Sequence, residues 1–178
     1  MNRSLIANRY AKALFKLAIE QDNLEQIHTD IALLQQFCKE AIGFMEILIS
    51  PVIKPGRKKQ MFHELLEGKI DSSTMRLLDL LVDNNREELL TDINRNFISL
   101  FKDNKGIKEV ALYTAVTMDH PHIEQLKSFL KEQFKAPIEL SVKIKPELLG
   151  GFILTVDGKM VDASISSKLK QIKKELLS

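Results

Sequence analysis

Two adjacent glycines, Gly150-Gly151, with Asp157-Gly158-Lys159 downstream, come nearest in this chain to a phosphate-binding pattern. A P-loop needs Gly, four residues, then Gly-Lys-Ser/Thr, so that backbone amides and the lysine surround a phosphate. Here six residues separate Gly151 from Gly158, and Lys159 is followed by Met160. The G-x-G-x-x-G turn of a dinucleotide-binding fold is also absent. Gly150-Gly151 instead opens an apolar run, "GGFILTV". Glycine there permits a bulge or a close backbone approach, so the pair is expected to shape a sheet.

The other reactive side chains are equally sparse. His120 and His122 form an H-P-H pair, but zinc requires further Cys or His ligands at matching spacing. Cys38 lies on the apolar stripe of a predicted helix with no base signalled nearby, which suits a small core residue better than a nucleophile. "KPGRKKQ" sets Arg57, Lys58 and Lys59 at a helix start. An anion or lipid headgroup is one reading; a solvated charge run is the other and is favoured. No catalytic residue, no metal ligand and no cofactor is expected.

The elements that hold these residues change character along the chain. Up to Asp103 the apolar period is helical. A first helix, capped by Ser4, carries Ala7, Ala11, Leu14 and Ala18, with Tyr10, Ala13 and Leu17 alongside. A second, capped by Asp22, carries Leu24, Ile27, Ile31, Leu34 and Cys38. A short apolar stretch, residues 44–49, ends before Pro51. A helix over about 56–67 stops at Gly68. Asp71-Ser72-Ser73 offers caps for a fifth helix, apolar nearly all round, and Asn84-Asn85 ends it. The sixth points Leu89, Leu90, Ile93, Phe97, Leu100 and Phe101 inward.

Beyond Asp103 alternation takes over. Residues 108–116 and "PIELSVKIK" read as strands. Between them lies a helix with Asp119 as cap, Pro121 in its first turn, and Ile123, Leu126, Phe129, Leu130 and Phe134 as its core stripe. "GGFILTV" and "KMVD" flank Asp157-Gly158, a hairpin signal. A last helix from about Ser164 spaces Ile165, Leu169, Ile172 and Leu176 along one side and Lys168, Lys170, Lys173 and Lys174 along the other. The expected class is therefore α+β: a six-helix bundle domain over 1–105, then a small α/β domain over 106–178 with a short sheet and two helices.

Composition narrows the function. Of 178 residues, 44% are hydrophobic and 28% charged, enough for packed cores. The net charge is +2, too balanced for a nucleic-acid-binding face. It divides near the change of texture: residues 1–103 carry −1 and 104–178 carry +3. One cysteine excludes an internal disulfide and suits a reducing compartment. The longest uncharged runs, residues 110–118 and 148–156, are about half a bilayer span, and basic residues interrupt the N-terminal apolar positions, unlike a signal peptide. The small residues of the first helix, beside the apolar fifth, either pack within the domain or form a groove for an amphipathic partner helix.

Four segments then point to a family. "NRYAKALFKLA", with Tyr10, Ala11, Ala13 and Leu14, resembles the opening of the delta subunit of F-type ATP synthases, the bacterial counterpart of the mitochondrial oligomycin-sensitivity-conferring protein. "ILISPVIKPGRKKQMFHELL", with Pro51, resembles its loop before a basic helix. "LLDLLVDNNREELLTDI", with Arg86, resembles its helix–Asn–Arg–helix passage. Most specific is "IKPELLGGFILTVDGKMVDASISSKLKQI", where Gly150, Gly151, Asp162 and Ser164 carry the family signature. The hairpin Asp157-Gly158-Lys159 departs from it at a variable place.

The resemblance implies a non-catalytic stator subunit, one copy per complex, peripheral on the cytoplasmic face of the bacterial inner membrane, with no membrane insertion, no nucleic acid and no cofactor. It implies that the N-terminal segment of an alpha subunit lies in a groove between the first and fifth helices. The matching faces, chosen by periodicity, are Ala7, Tyr10, Ala11 and Leu14 with Leu77, Leu78, Leu81 and Val82. It implies that the C-terminal domain binds the ends of the b subunits, for which Leu169, Ile172 and Leu176 are the expected contacts, unless that stripe is buried on the sheet. Gly150 and Gly151 then shape a strand, and Asp162 or Ser164 caps the last helix. The alternative is a stand-alone helix-binding adaptor.

Overall fold

The computed structural model describes residues 3–40 and 43–176, with the backbone alone for Lys170 and residues 172–176. The class is mixed α+β. The chain divides into two compact units, Met1–Phe101 and Lys102–Ser178.

The first unit is built from α1 (Arg3–Glu20), α2 (Leu24–Glu40), α3 (Phe44–Ile49), α4 (Pro55–Leu66), α5 (Ser72–Asp83) and the main part of α6 (Leu90–Lys105), the last preceded by a 3-10 turn at Glu87–Leu89. Each stripe of period 3.6 has become a buried seam: Ala7, Ala11, Leu14 and Ala18 on α1; Ile27, Ile31 and Leu34 on α2; Leu90, Ile93, Phe97 and Phe101 on α6. Leu100 lies at the edge of its seam, half-buried. Phe15 meets Phe97 edge-on, with ring centroids 5.8 Å apart.

Local chemistry sets the helix ends. Pro55 opens α4, where its missing N–H costs nothing. Gly68 follows α4 at φ 75°, a left-handed conformation that glycine adopts without a Cβ clash. Asp71 caps α5, its carboxylate accepting from Ser73 N at 2.7 Å. The cap expected at Asp22 is displaced. Asp22 lies at φ 53° in the reversing turn, and the Asn23 carbonyl accepts the first bond of α2, from Ile27 N at 3.0 Å. Three residues must reverse the chain there, and aspartate tolerates the left-handed region they need.

The second unit is a four-stranded sheet in the order β2-β1-β3-β4: β1 (Lys108–Thr114), β2 (Ile138–Ile144), β3 (Phe152–Val156) and β4 (Lys159–Asp162). β1 pairs parallel with β2, setting Val110 opposite Leu140, and antiparallel with β3, setting Val110 opposite Val156. α7 (His120–Phe134) makes the crossover and α8 (Ile165–Leu176) follows the hairpin. Asp157 and Gly158 both have positive φ, 46° and 80°, as a type I′ turn requires. β1 ends at Thr114, two residues short of the expected strand, where the Thr114 hydroxyl donates to the Val116 carbonyl at 2.8 Å.

The core stripe expected on α7 is narrower than its apolar residues. Leu130 is buried against Val110 and Ile138, with Leu126 beside it, but Phe129 and Phe134 are 57% and 42% exposed. One face of four short strands offers a single seam, and Phe129 lies ~100° around the helix from Leu130.

Candidate functional site

Among the described residues no group of three or more His, Cys, Asp or Glu side chains is placed to hold a metal ion. His120 and His122 are exposed on the first turn of α7. Cys38 is half-buried; burial pushes its thiol up, against a smaller opposing effect of a hydrogen bond with Thr91. A high thiol pKa disfavours the nucleophilic thiolate.

Gly151 meets backbone rather than open space. At φ 71°, a Cβ on it would stand 2.2 Å from the Ala163 carbonyl oxygen and 3.1 Å from Ser164 Cα. The pair lets the entry of β3 pass directly against the N-terminus of α8. That terminus is held twice. Asp162 accepts from Ser164 N at 2.9 Å and from the Ser167 hydroxyl at 2.6 Å, and Ser164 Oγ accepts from Ser167 N at 3.2 Å.

The face formed by α1 and α5 is the better candidate for binding. Two bonds fix these helices antiparallel: the Ser73 hydroxyl donates to Gln21 Oε1 at 3.0 Å, and Arg86 Nη1 donates to the Tyr10 hydroxyl at 3.1 Å. The start of α5 is anchored by Asp30, 1% exposed, which accepts from Asp71 N at 2.7 Å, Thr74 Oγ1 at 2.8 Å and Gln26 Nε2 at 2.9 Å. Of the eight residues assigned to the groove, seven are core. Ala7, Ala11, Leu14, Leu77, Leu78, Leu81 and Val82 are each at most 7% exposed, and only Tyr10 is half-buried. Periodicity picks out the most apolar stripe, which is the one the unit buries for itself. Accessible apolar residues one step around include Ile6, Tyr10 and Leu17, half-buried, and Ala13, exposed, along α1, and Leu80 on α5, 48% exposed.

The run Arg57-Lys58-Lys59 is not a uniformly solvated one. Lys58 is buried and donates to Glu87 at 2.7 Å, each side chain 7% exposed, while Lys59 pairs with Asp83 at 2.7 Å. A partner 29 residues away left no local sign in the sequence. The two pairs tie α4 to the segment that leaves α5. An apolar depression of about 320 Å³ between α3 and α4 includes Phe44, Ile47, Met61 and Leu65.

The second unit has a larger cleft, about 580 Å³, between one face of the sheet and α7. Leu112, Leu126, Phe129, Leu149, Phe152 and Leu154 line it. Leu169 on α8 is 51% exposed. The side chains of Ile172 and Leu176 lie outside the described residues. Lys102 pairs with Glu109 and, at 2.8 Å, with Glu139. Burial disfavours its charge, but the two carboxylates outweigh that and hold the ammonium above its ordinary range.

The two apolar surfaces suit association with other chains. Residues 6–176 match the family model described as ATP synthase delta (OSCP) subunit. The chain belongs to that family. It is 31% identical to the ATP synthase subunit delta of Lactobacillus johnsonii, over 99% of this chain and 97% of the relative. It is 30% identical to that of Cytophaga hutchinsonii, over 97% and 94%. A chain in the cryo-EM structure of the Toxoplasma gondii mitochondrial ATP synthase hexamer has the same fold, with a TM-score of 0.79, 22% identity and 97% of each chain covered. As a delta subunit the chain is a component of the peripheral stalk of an F-type ATP synthase. No helix of the described residues is long and apolar enough to cross a membrane.

Proposed function

We propose that the chain is a non-catalytic stator subunit, one copy per complex, that links the alpha/beta hexamer to the b subunits and resists the torque of the rotor. Without such a link, proton flow would turn the hexamer with the rotor and make no ATP. The observation that carries the reading is the full-length match to delta subunits. The α1–α6 unit serves as the helical bundle that receives the N-terminal segment of an alpha subunit. The buried alanines and leucines of α1 and α5 form the floor. The half-exposed row from Ile6 to Leu17, with Leu80, contacts the partner. An amphipathic helix laid there buries apolar area on both sides and needs no chemistry. The second unit takes the C-terminal ends of the b subunits, on its cleft and on the α8 stripe that contains Leu169. The protein is held at the cytoplasmic face of the bacterial inner membrane through the complex alone.

The test is calorimetric titration of the full chain with a synthetic peptide of the same organism's alpha-subunit N-terminus, about 20 residues and so ~30 Å of helix. A 1:1 complex weakened by Ala13→Trp supports the groove. Ala13 is the position to change, because Ala11 has no exposure and a tryptophan there would disturb the core. Equal affinity for unrelated amphipathic helices would favour a general adaptor, and no binding by the folded chain would remove the groove reading.

A further inference from the structure

Leu149 is a leucine at a place where the fold gains little from one. Its backbone lies at φ 62° and ψ −16°, and a large side chain rarely adopts a positive φ. Among the described residues the other non-glycines with positive φ are Asp22, Asn85, Lys135 and Asp157, all polar. The side chain is also 68% exposed, so little of it is buried in the second unit. A glycine or asparagine would hold the same turn with less strain. Strain and exposure together set Leu149 apart from the residues that fold the free chain, and such outliers gather at binding sites.

The surroundings of Leu149 define what would cover it. It lines the cleft with Phe129 and Phe152, 57% and 42% exposed. No charged residue lines that cleft, and its one polar side chain, Thr114, already donates its hydroxyl to the Val116 carbonyl. An occupant must therefore be apolar where it enters. The apolar surface continues onto α8. Ile165 Cδ1 would stand 2.6 Å from a Cβ on Gly150, at the rim of the cleft, and Ile165 and Leu169, 46% and 51% exposed, form an i, i+4 ridge. Such a ridge packs into the groove of another helix. Lys168 beside it is exposed and makes no ion pair among the described residues, and α8 carries four lysines to one glutamate. The complement of this surface is an amphipathic helix with an acidic flank.

We infer that Leu149 is the anchor residue of the second unit's partner: an acidic-flanked amphipathic helix lies along α8, inserts apolar side chains into the cleft and closes over Leu149. The inference rests on the proposed docking of b-subunit ends at this surface, and names the residue that sets its affinity. Leu149 adds strain to the free chain that is offset only when the helix buries its side chain.

The experiment uses the full chain and a synthetic peptide of the C-terminal end of the same organism's b subunit. Calorimetry reads affinity, and urea unfolding reads the stability of the second unit. Leu149→Gly should weaken binding about tenfold or more, as loss of a central apolar anchor does, while the second unit's urea midpoint stays at or above the wild-type value. Leu149→Ala keeps the strained backbone and should show the affinity loss without any gain in midpoint. Leu149→Met, of similar volume, should retain most of the affinity. Lys168→Glu should weaken binding as well, and less so at 1 M salt. If L149G misfolds, Leu149→Ala and Leu149→Met carry the test. Full affinity in L149G, or a midpoint that falls clearly in that folded variant, would overturn the inference. Affinity that survives Leu149→Gly but is lost in Phe129→Ser would leave the cleft reading standing alone. Binding indifferent to Lys168→Glu would overturn the placement of the helix along α8. A wild-type chain that binds no b-subunit peptide would overturn both the inference and the docking it rests on.

Discussion

The two units bury apolar surface very differently. Of the 25 buried hydrophobic residues among those described, 20 lie in Met1–Phe101 and five in Lys102–Ser178. Among the described residues, large exposed hydrophobics run the other way: seven in the longer first unit and ten in the second, including Val116, Phe129, Leu149 and Leu169. Hydrophobic stabilisation scales with apolar area removed from water, at ~25 cal/mol per Å². The first unit therefore completes its own core and leaves only a narrow, half-exposed apolar row along α1. The second has a thin core around Val110, Leu130 and Ile138 and leaves much of its apolar area exposed.

The largest effect should come from breaking the buried pair of the first unit. Lys58→Met leaves the Glu87 carboxylate buried without its cation, a change that typically costs ~3–5 kcal/mol. Urea unfolding should show the loss in the first unit, and Lys58→Met with Glu87→Leu should recover most of it, since apolar residues of similar volume replace such pairs at little cost. A loss shared equally by both units would contradict the division drawn here. Gly151→Ala comes next. The added Cβ would press on the Ala163 carbonyl and the backbone would be held at a strained φ, so the second unit should lose more than ~1 kcal/mol while the first is unchanged. Tryptophan-free near-UV signals from Tyr113, against Tyr10 in the first unit, would separate the two.

The third prediction sharpens the contrast. Phe129→Ser removes an exposed ring from the cleft, so stability should change by no more than ~0.5 kcal/mol, as for other surface sites. Binding of a peptide taken from the C-terminal end of a b subunit should fall sharply in the same variant. A large stability loss with intact binding would make Phe129 a core residue after all.

What the sequence made legible follows the range of the forces involved. Pro55, Gly68, Asp71 and Asp157-Gly158 act within a few residues, and the element ends fall at or beside them. The stripes of α1, α2 and α6 were legible because every buried seam repeats at 3.6 residues. What periodicity cannot tell is whether an apolar face meets its own unit or a partner: Ala7, Ala11 and Leu78, read from the sequence as groove residues, are buried within the unit and would reach a partner only as the floor of the proposed groove. It erred the opposite way for Phe129 and Phe134, apolar residues left outside because a small sheet has no more face to offer. Lys58 reads as solvated in the sequence because its partner Glu87 comes from a separate element, and nothing local in the sequence marks the Tyr10 ring that lies beneath Arg86.

The smallest expected effect tests how the sheet is tied to the end of α6. Lys102 bridges Glu109 at the start of β1 and Glu139 at the start of β2, and its ammonium is held above its ordinary range. A cation whose folded pKa is raised contributes stability that is complete below the unfolded value and is lost as pH rises through the folded one. The bridge should therefore be at full strength at neutral pH and fade only above about pH 10.5, the ordinary lysine value. Both carboxylates are more than half exposed, so screening keeps the contribution to ~0.2–1 kcal/mol. Lys102→Met should lower the second unit's urea midpoint slightly at pH 7, less so at 1 M salt, and progressively less as the pH is raised above about 10.5 toward 11.5. A loss that persists undiminished at pH 11.5 would assign the effect of Lys102 to the packing of its aliphatic stem, not to its charge.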